Sequence, residues 1–309
     1  MSKECKGVDF RGVSIPKQEA EVLKKLEVLT GEEFSTVQVV NSGTSMGFSV
    51  SQNHVTGVGL YLKKLPSVPD SIGNLKRCKV LSLSETTVGS LPHTMASLRN
   101  LKEIYLTLNN FTTFPKVLLK IPSLEELGIG DNKLTEIPHS INQLINLKIL
   151  QLNANKFTEF PKAITLVPSL EYLGLRSNYL NAVSEKITKL KNLEGLDLAN
   201  NKFTEIPEHI CDLQGLTFLG FDYNNLTELP ECIGKLKSLI ALDVSHNKIT
   251  ALPKSIGDLS KLELLDLGNN AVKYLPESMK KLHIKRLSLY GNPVKNLRKI
   301  YPNLEYIPI

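Results

Sequence analysis

A fixed period of 23 residues governs this chain. Units begin at Val55, Cys78, Leu101, Leu124, Leu147, Leu170, Leu193, Leu216, Leu239 and Leu262, and an eleventh at Ile284 arrives one residue early. Such self-similarity excludes a fold built around one central core, because each unit is too small to bury its own apolar face and must lean on its neighbours. The expected architecture is an elongated α/β solenoid with eleven repeats over residues 55–297. Function in such an array belongs to the side chains left exposed along its surface.

Within a unit the spacing is Leu-x-x-Leu-x-Leu-x-x-Asn-x-Leu-x-x-Leu-Pro-x-x-Ile-x-x-Leu-x-x, seen best from Leu193 to Gly215. Leu196-Asp197-Leu198 alternates apolar and polar side chains, the period of a short strand with one buried face, and stacked copies predict a parallel sheet. Position nine is Asn in nine consecutive units, from Asn109 to Asn292. An inward amide there can satisfy several backbone groups that the turn leaves buried, so these asparagines are read as structural. Proline closes the turn at position fifteen from Pro69 to Pro276, and only Ser184 interrupts that row. A fixed φ and a missing donor suit a return segment outside the ladder, which predicts brief 3₁₀ turns in place of long helices. Phe111, Phe157 and Phe203 alternate with Leu134, Leu180 and Leu226 at position eleven and are expected to interdigitate between turns.

These units resemble the leucine-rich repeat family. The segments Leu229-Pro230-Glu231-Cys232-Ile233-Gly234-Lys235-Leu236 and Val68-Pro69-Asp70-Ser71-Ile72-Gly73-Asn74-Leu75 are similar to the subclass of intracellular Ras-associated repeat proteins, of Erbin and Scribble relatives, and of many prokaryotic proteins. The resemblance implies a curved horseshoe with the parallel sheet on its concave face. It also implies a recognition surface without chemistry of its own.

An open solenoid must protect both ends of its core. Residues 1–54 lack the period and are expected to form the N-terminal cap. Pro16 and Gly31 bracket a predicted helix over 16–29, with Val22, Leu23, Leu26 and Leu29 on one stripe, and the residues around Ser51-Gln52-Asn53-His54 read as a hairpin. A membrane-seeking helix is the competing reading of the same stripe. Residues 298–309 are expected to close the other end.

The clearest clue to function is charge. Positions three, five, seven and eight of each unit should line the concave face, where they place Glu85, Glu103, Glu126, Asp131, Asp197, Asp222, Asp243 and Asp266 against only Arg176 and Arg286. The whole chain carries +6, so that lining has the opposite sign to the remainder and the wrong sign for phosphate. A basic protein surface or segment fits it. Tyr105, Tyr172, Phe218, Tyr223, His246 and Tyr290 project from the same positions, and exposed aromatic groups beside charges are what interface hot spots favour. The blander reading is that Leu-Asp-Leu is simply the habit of this family. Lys280, Lys281, Lys285 and other bases fall on the return segments, where weak attraction to RNA or anionic membrane is the alternative to a merely solvated surface.

Four scattered cysteines, Cys5, Cys78, Cys211 and Cys232, suggest neither a disulfide framework nor paired zinc ligands. The N-terminal residues lack a secretory apolar segment, and no run is long enough to span a bilayer, so a cytoplasmic protein is expected. No phosphate-binding Gly-rich loop, His-Glu-x-x-His or Cys-x-x-Cys occurs, and His246 beside Asp243 has no nucleophile nearby. The expected protein is a non-catalytic scaffold or adaptor without cofactor or metal, monomeric by itself. It recognises a partner protein on its concave face between Tyr172 and Tyr290, and by family analogy that partner is a small GTPase or its regulatory complex. The alternative class is a regulatory repeat subunit of an enzyme complex.

Overall fold

A computed structural model describes residues 7–301. The chain divides into two compact units between Gln151 and Leu152.

The first unit opens with a small hairpin, β1 (Val8–Phe10) and β2 (Val13–Ile15), which the sequence analysis did not anticipate. Helix α1 (Lys17–Thr30) follows, preceded by Pro16 and closed by Gly31 at φ 74°. Its apolar stripe of Ala20, Val22, Leu23 and Leu26 is buried, so amphipathic packing and not membrane affinity accounts for that face. The short β3 (Ser35–Thr36) lies parallel to β4 (Gly47–Ser51), and β4 pairs antiparallel with β5 (His54–Gly59). The β4–β5 turn centres on Gln52 and Asn53, both at positive φ, whose twist matches that of the flanking strands. Glu19 of α1 is only 4% exposed; its carboxylate takes the His54 Nδ1 contact at 2.7 Å and accepts the Val55 amide at 2.7 Å, tying helix to hairpin.

From β5 the period takes over. Strands β6 (Val80–Ser82), β7 (Glu103–Tyr105), β8 (Glu126–Gly128) and β9 (Ile149–Gln151) continue the sheet in parallel with no register shift. Side chains at the same repeat position therefore stand side by side, about 4.8 Å apart.

The second unit repeats the plan with β10 (Tyr172–Gly174), β11 (Gly195–Asp197), β12 (Phe218–Gly220), β13 (Ala241–Asp243), β14 (Leu264–Asp266) and β15 (Arg286–Ser288), all parallel. A four-residue helix, α2 (Leu297–Ile300), ends its described part, and of the expected C-terminal closure over 298–309 residues 302–309 lie outside the described residues.

The return segments in both units are five-residue 3₁₀ turns, such as Asp70–Asn74 and Glu208–Asp212, each entered from the turn proline as expected. Where Ser184 replaces proline, its hydroxyl accepts the Lys186 amide and supplies the start of the turn by a side-chain cap. The position-nine asparagines behave as predicted. Asn201 donates through Nδ2 to the carbonyls of Leu175, Leu198 and Ala199, and its Oδ1 accepts the Leu180 amide. Phe111, Phe157 and Phe203 are buried, as are Leu134, Leu180 and Leu226. Each such side chain contributes roughly 1.5–3 kcal/mol by leaving water, so packing between neighbouring repeats holds the array. No described helix is long and apolar enough to cross a membrane.

Candidate functional site

The exposed face of the second unit's sheet gathers most of the residues singled out by charge. Asp197, Asp243 and Asp266 end β11, β13 and β14 at the same repeat position. Asp243 and Asp266 are direct register partners, whereas Asp197 is separated from Asp243 by Gly220. Each of the three carboxylates accepts the amide two residues ahead, of Ala199, Ser245 and Gly268 respectively, at 2.8–3.0 Å. The acid at this position thus also fastens the chain as it leaves the strand, which explains locally why Leu-Asp-Leu recurs.

Asp222 lies two positions further along its repeat and is buried. It does not extend the row. Arg176 reaches it with two hydrogen bonds, Nη2 to Oδ2 at 2.9 Å and Nη1 to Oδ1 at 3.3 Å. Arg176 thus neutralises Asp222, whereas the register partners Asp243 and Asp266 make no ion pair among the described residues. Burial raises the carboxyls of Asp197, Asp222 and Asp243 above the ordinary range; Arg176 opposes this at Asp197 and Asp222, and Asp266 adds to it at Asp243.

The aromatic residues divide by surroundings. Tyr172 is half-buried because its ring lies against Gly195, its register partner, where any Cβ would meet the ring at 2.5 Å. Phe218 is half-buried beside Gly220. Tyr223 stacks on His246 with ring centroids 3.9 Å apart, and His246 Nε2 lies 3.0 Å from Asn269 Nδ2. Tyr290 is the most open, at 59% exposure. Arg286 is exposed and pairs in register with Leu264, itself 43% exposed. Phe218, Ala241, Leu264, Asp243, Asp266 and Arg286 surround a hollow of about 230 Å³ with an apolar floor and an acidic edge.

Tyr105 belongs to the first unit and joins none of this. Its hydroxyl donates to Glu103 at 2.9 Å, and burial with the nearby Glu126 carboxylate pushes it well above the usual phenol range.

Sequence reasoning missed three features. Position eight adopts left-handed backbone in consecutive repeats from Leu62 to Asn269, with φ between 49° and 63°. That conformation swings Tyr223, His246 and Asn269 off the strand end, and the signal was the presence of Asp131, Asn200, Asn269 and Gly291 in one column. The second is a disulfide between Cys211 and Cys232, which stand in neighbouring 3₁₀ turns with Cα atoms 5.8 Å apart. The expectation of no bridge fails here because stacking brings together residues 21 apart in sequence. The third is a pair of cations on one ring: Lys156 and Lys202 both stand over Tyr179, at 5.6 and 5.0 Å.

Known proteins share this architecture. Residues 162–246 and 208–300 match the model of a leucine-rich repeat region, and 122–180 match a second leucine-rich repeat model, so the matches together span more than half of the chain. The plant peptide hormone receptor RGFR1, solved in complex with RGF2, is 26% identical over 77% of this chain and 40% of its own, with a TM-score of 0.63. A leucine-rich repeat protein of Leptospira interrogans is 31% identical over 77% of this chain and 80% of its own, with a TM-score of 0.48. An internalin of Listeria monocytogenes is similar in fold, at 20% identity, 81% and 88% coverage and a TM-score of 0.63. The chain spans less than half the length of the plant receptor that it matches.

Proposed function

The chain belongs to the leucine-rich repeat family, and from that premise we propose that it is a non-catalytic scaffold or adaptor that holds a basic segment of a partner protein on the exposed sheet face of its second unit. One observation carries this reading: the unneutralised pair Asp243 and Asp266 edges an apolar hollow that contains an exposed leucine. A segment with Lys or Arg next to an aliphatic or aromatic side chain satisfies both parts at once. Arg286 on the far side sets polarity, because it repels a second base and admits an acid. The solved plant peptide hormone receptor, in complex with RGF2, supports a reading in which such an array takes a peptide or protein ligand. Within this reading a small GTPase or its regulatory complex is the first whole partner to test, by analogy alone. A cytoplasmic location belongs to the same proposal, and the Cys211–Cys232 bridge weighs against it, since disulfides persist mainly in oxidising compartments.

The test uses a phage-displayed library of random peptides as probe. Peptides selected on the intact protein should carry a base beside an apolar residue, and Asp243→Asn with Asp266→Asn should weaken their capture about tenfold or more. Asparagine keeps the amide-accepting oxygen, so the fold is retained. Equal capture by the double variant would reject the proposal.

A further inference from the structure

A second site lies in the first unit, independent of the face just described. Tyr61, Ser84, Glu85, Tyr105 and Glu126 line a cavity of about 410 Å³, whose remaining wall includes Ser42 and Gly43 from the loop before β4. That loop is held in place. Asn41 Oδ1 accepts the Gly43 amide at 3.0 Å, and the Ser42 carbonyl accepts the Ser82 hydroxyl at 2.7 Å. It can lie close to β5 because residue 59 is glycine; a Cβ there would collide with the Thr44 backbone oxygen.

The cavity is acidic and has no base in its lining. Glu85 and Glu126 face it, Glu103 is the register partner of Glu126, and Asp131 lies near enough to feel the Glu85 charge. Burial first, then these like charges, raise the Glu126 and Asp131 carboxyls. Two neighbouring lysines are engaged elsewhere, Lys63 with Glu32 at 2.7 Å and Lys102 with Glu125 at 2.6 Å. The tyrosine hydroxyls are turned to the acids, Tyr61 toward Glu85 and Tyr105 toward Glu103 and Glu126, which leaves their ring faces as walls.

Carboxylates alone would not make a site, and Ser84 adds the second element. It follows the inward Leu83, so strand alternation turns it to the cavity side. It is 4% exposed, and its hydroxyl has no hydrogen-bond partner. A buried hydroxyl left unpaired costs about 1–3 kcal/mol, a cost removed when a ligand supplies a donor. A planar, many-donor cation meets all these features: it donates to separated carboxylates and to Ser84 Oγ while its plane lies on tyrosine rings. A metal ion is the poorer fit, because among the described residues no group of three or more His, Cys, Asp or Glu is placed to hold one.

We propose that this cavity between the 41–44 loop and β6–β8 is a binding site for an alkylguanidinium head group, the arginine side chain of a protein partner or a free guanidine of the same chemistry.

The test titrates the full chain, followed by the fluorescence of its nine tyrosines in the absence of tryptophan, with a Gly-Arg-Gly peptide, its citrulline counterpart and agmatine. The arginine peptide should bind, and the uncharged citrulline isostere should bind about tenfold more weakly or not at all. Ser84→Ala should weaken binding while leaving the melting temperature unchanged or raised, since it deletes an unpaired hydroxyl; Glu85→Gln with Glu126→Gln should abolish binding. Peptide tighter than agmatine assigns the head group to a protein, and the reverse order assigns it to a free guanidine. Equal binding of the citrulline peptide, or binding unchanged in the Ser84 or glutamate variants, would overturn the proposal. Repeating the titrations in an Asp243→Asn, Asp266→Asn background removes the second-unit acids from the signal, so the two sites fail or stand separately.

Discussion

At the scale of single residues, the acidic row is held at a cost to stability. Asp197 and Asp243 keep carboxyls above their ordinary range, chiefly through burial, and their charges oppose one another. A folded-state value above the unfolded one means that the contribution to stability is complete below the unfolded value, near pH 4, and is lost as pH rises through the raised value. Asp197→Asn with Asp243→Asn removes the charge and keeps the amide acceptor. The double variant should melt higher than the parent at pH 7, and the gap should close as pH falls toward about 4. Thermal scans across that window check this, and a gap constant with pH would refute the electrostatic account. Which aspartates stand alone was not legible in sequence. Repeat position placed Asp222 on the face, but only coordinates show Arg176 reaching across two repeats to pair with it.

At the scale of elements, the repeats were read closely. The strand at positions three to five, the asparagine turn and the proline-led 3₁₀ segment each follow from a local physical need that recurs every 23 residues. The predicted helix over 16–29 is Lys17–Thr30 in the structure, since proline at the entrance and glycine at the exit leave little freedom. The β1–β2 hairpin was missed although Arg11-Gly12 sits between two alternating runs, because three-residue strands carry too few residues to show a period. The Cys211–Cys232 bridge was invisible for another reason: its partners meet only when turns stack. Its loss should act mainly on the second unit. Cys211→Ala with Cys232→Ala should lower unfolding stability by up to about 3 kcal/mol in oxidising buffer, and reductant should lower the parent's melting point similarly. A parent insensitive to reductant, with both thiols alkylated in unreduced denatured protein, would show that no bridge forms.

At the scale of the whole molecule, the informative quantity is where charge lies, not how much there is. A chain of +6 has a sheet lining in which acids outnumber bases, with many of its bases on return segments, a distribution that the repeat positions made readable before any coordinates. What stayed hidden was relief: hollows arise where glycine or alanine faces outward beside a large ring, and small outward residues carry no signal in a period defined by inward leucines. The central claim is that the sheet face of the second unit receives the partner, and four exposed tyrosines test it. Tyr223 and Tyr290 stand on that face, 48% and 59% exposed, whereas Tyr179 and Tyr274, at 41% and 58%, lie at later repeat positions away from the strands. Hydroxyl-radical footprinting of the protein with and without a library-selected peptide should show Tyr223 and Tyr290 protected while Tyr179 and Tyr274 react unchanged; protection of the latter pair alone would contradict the account.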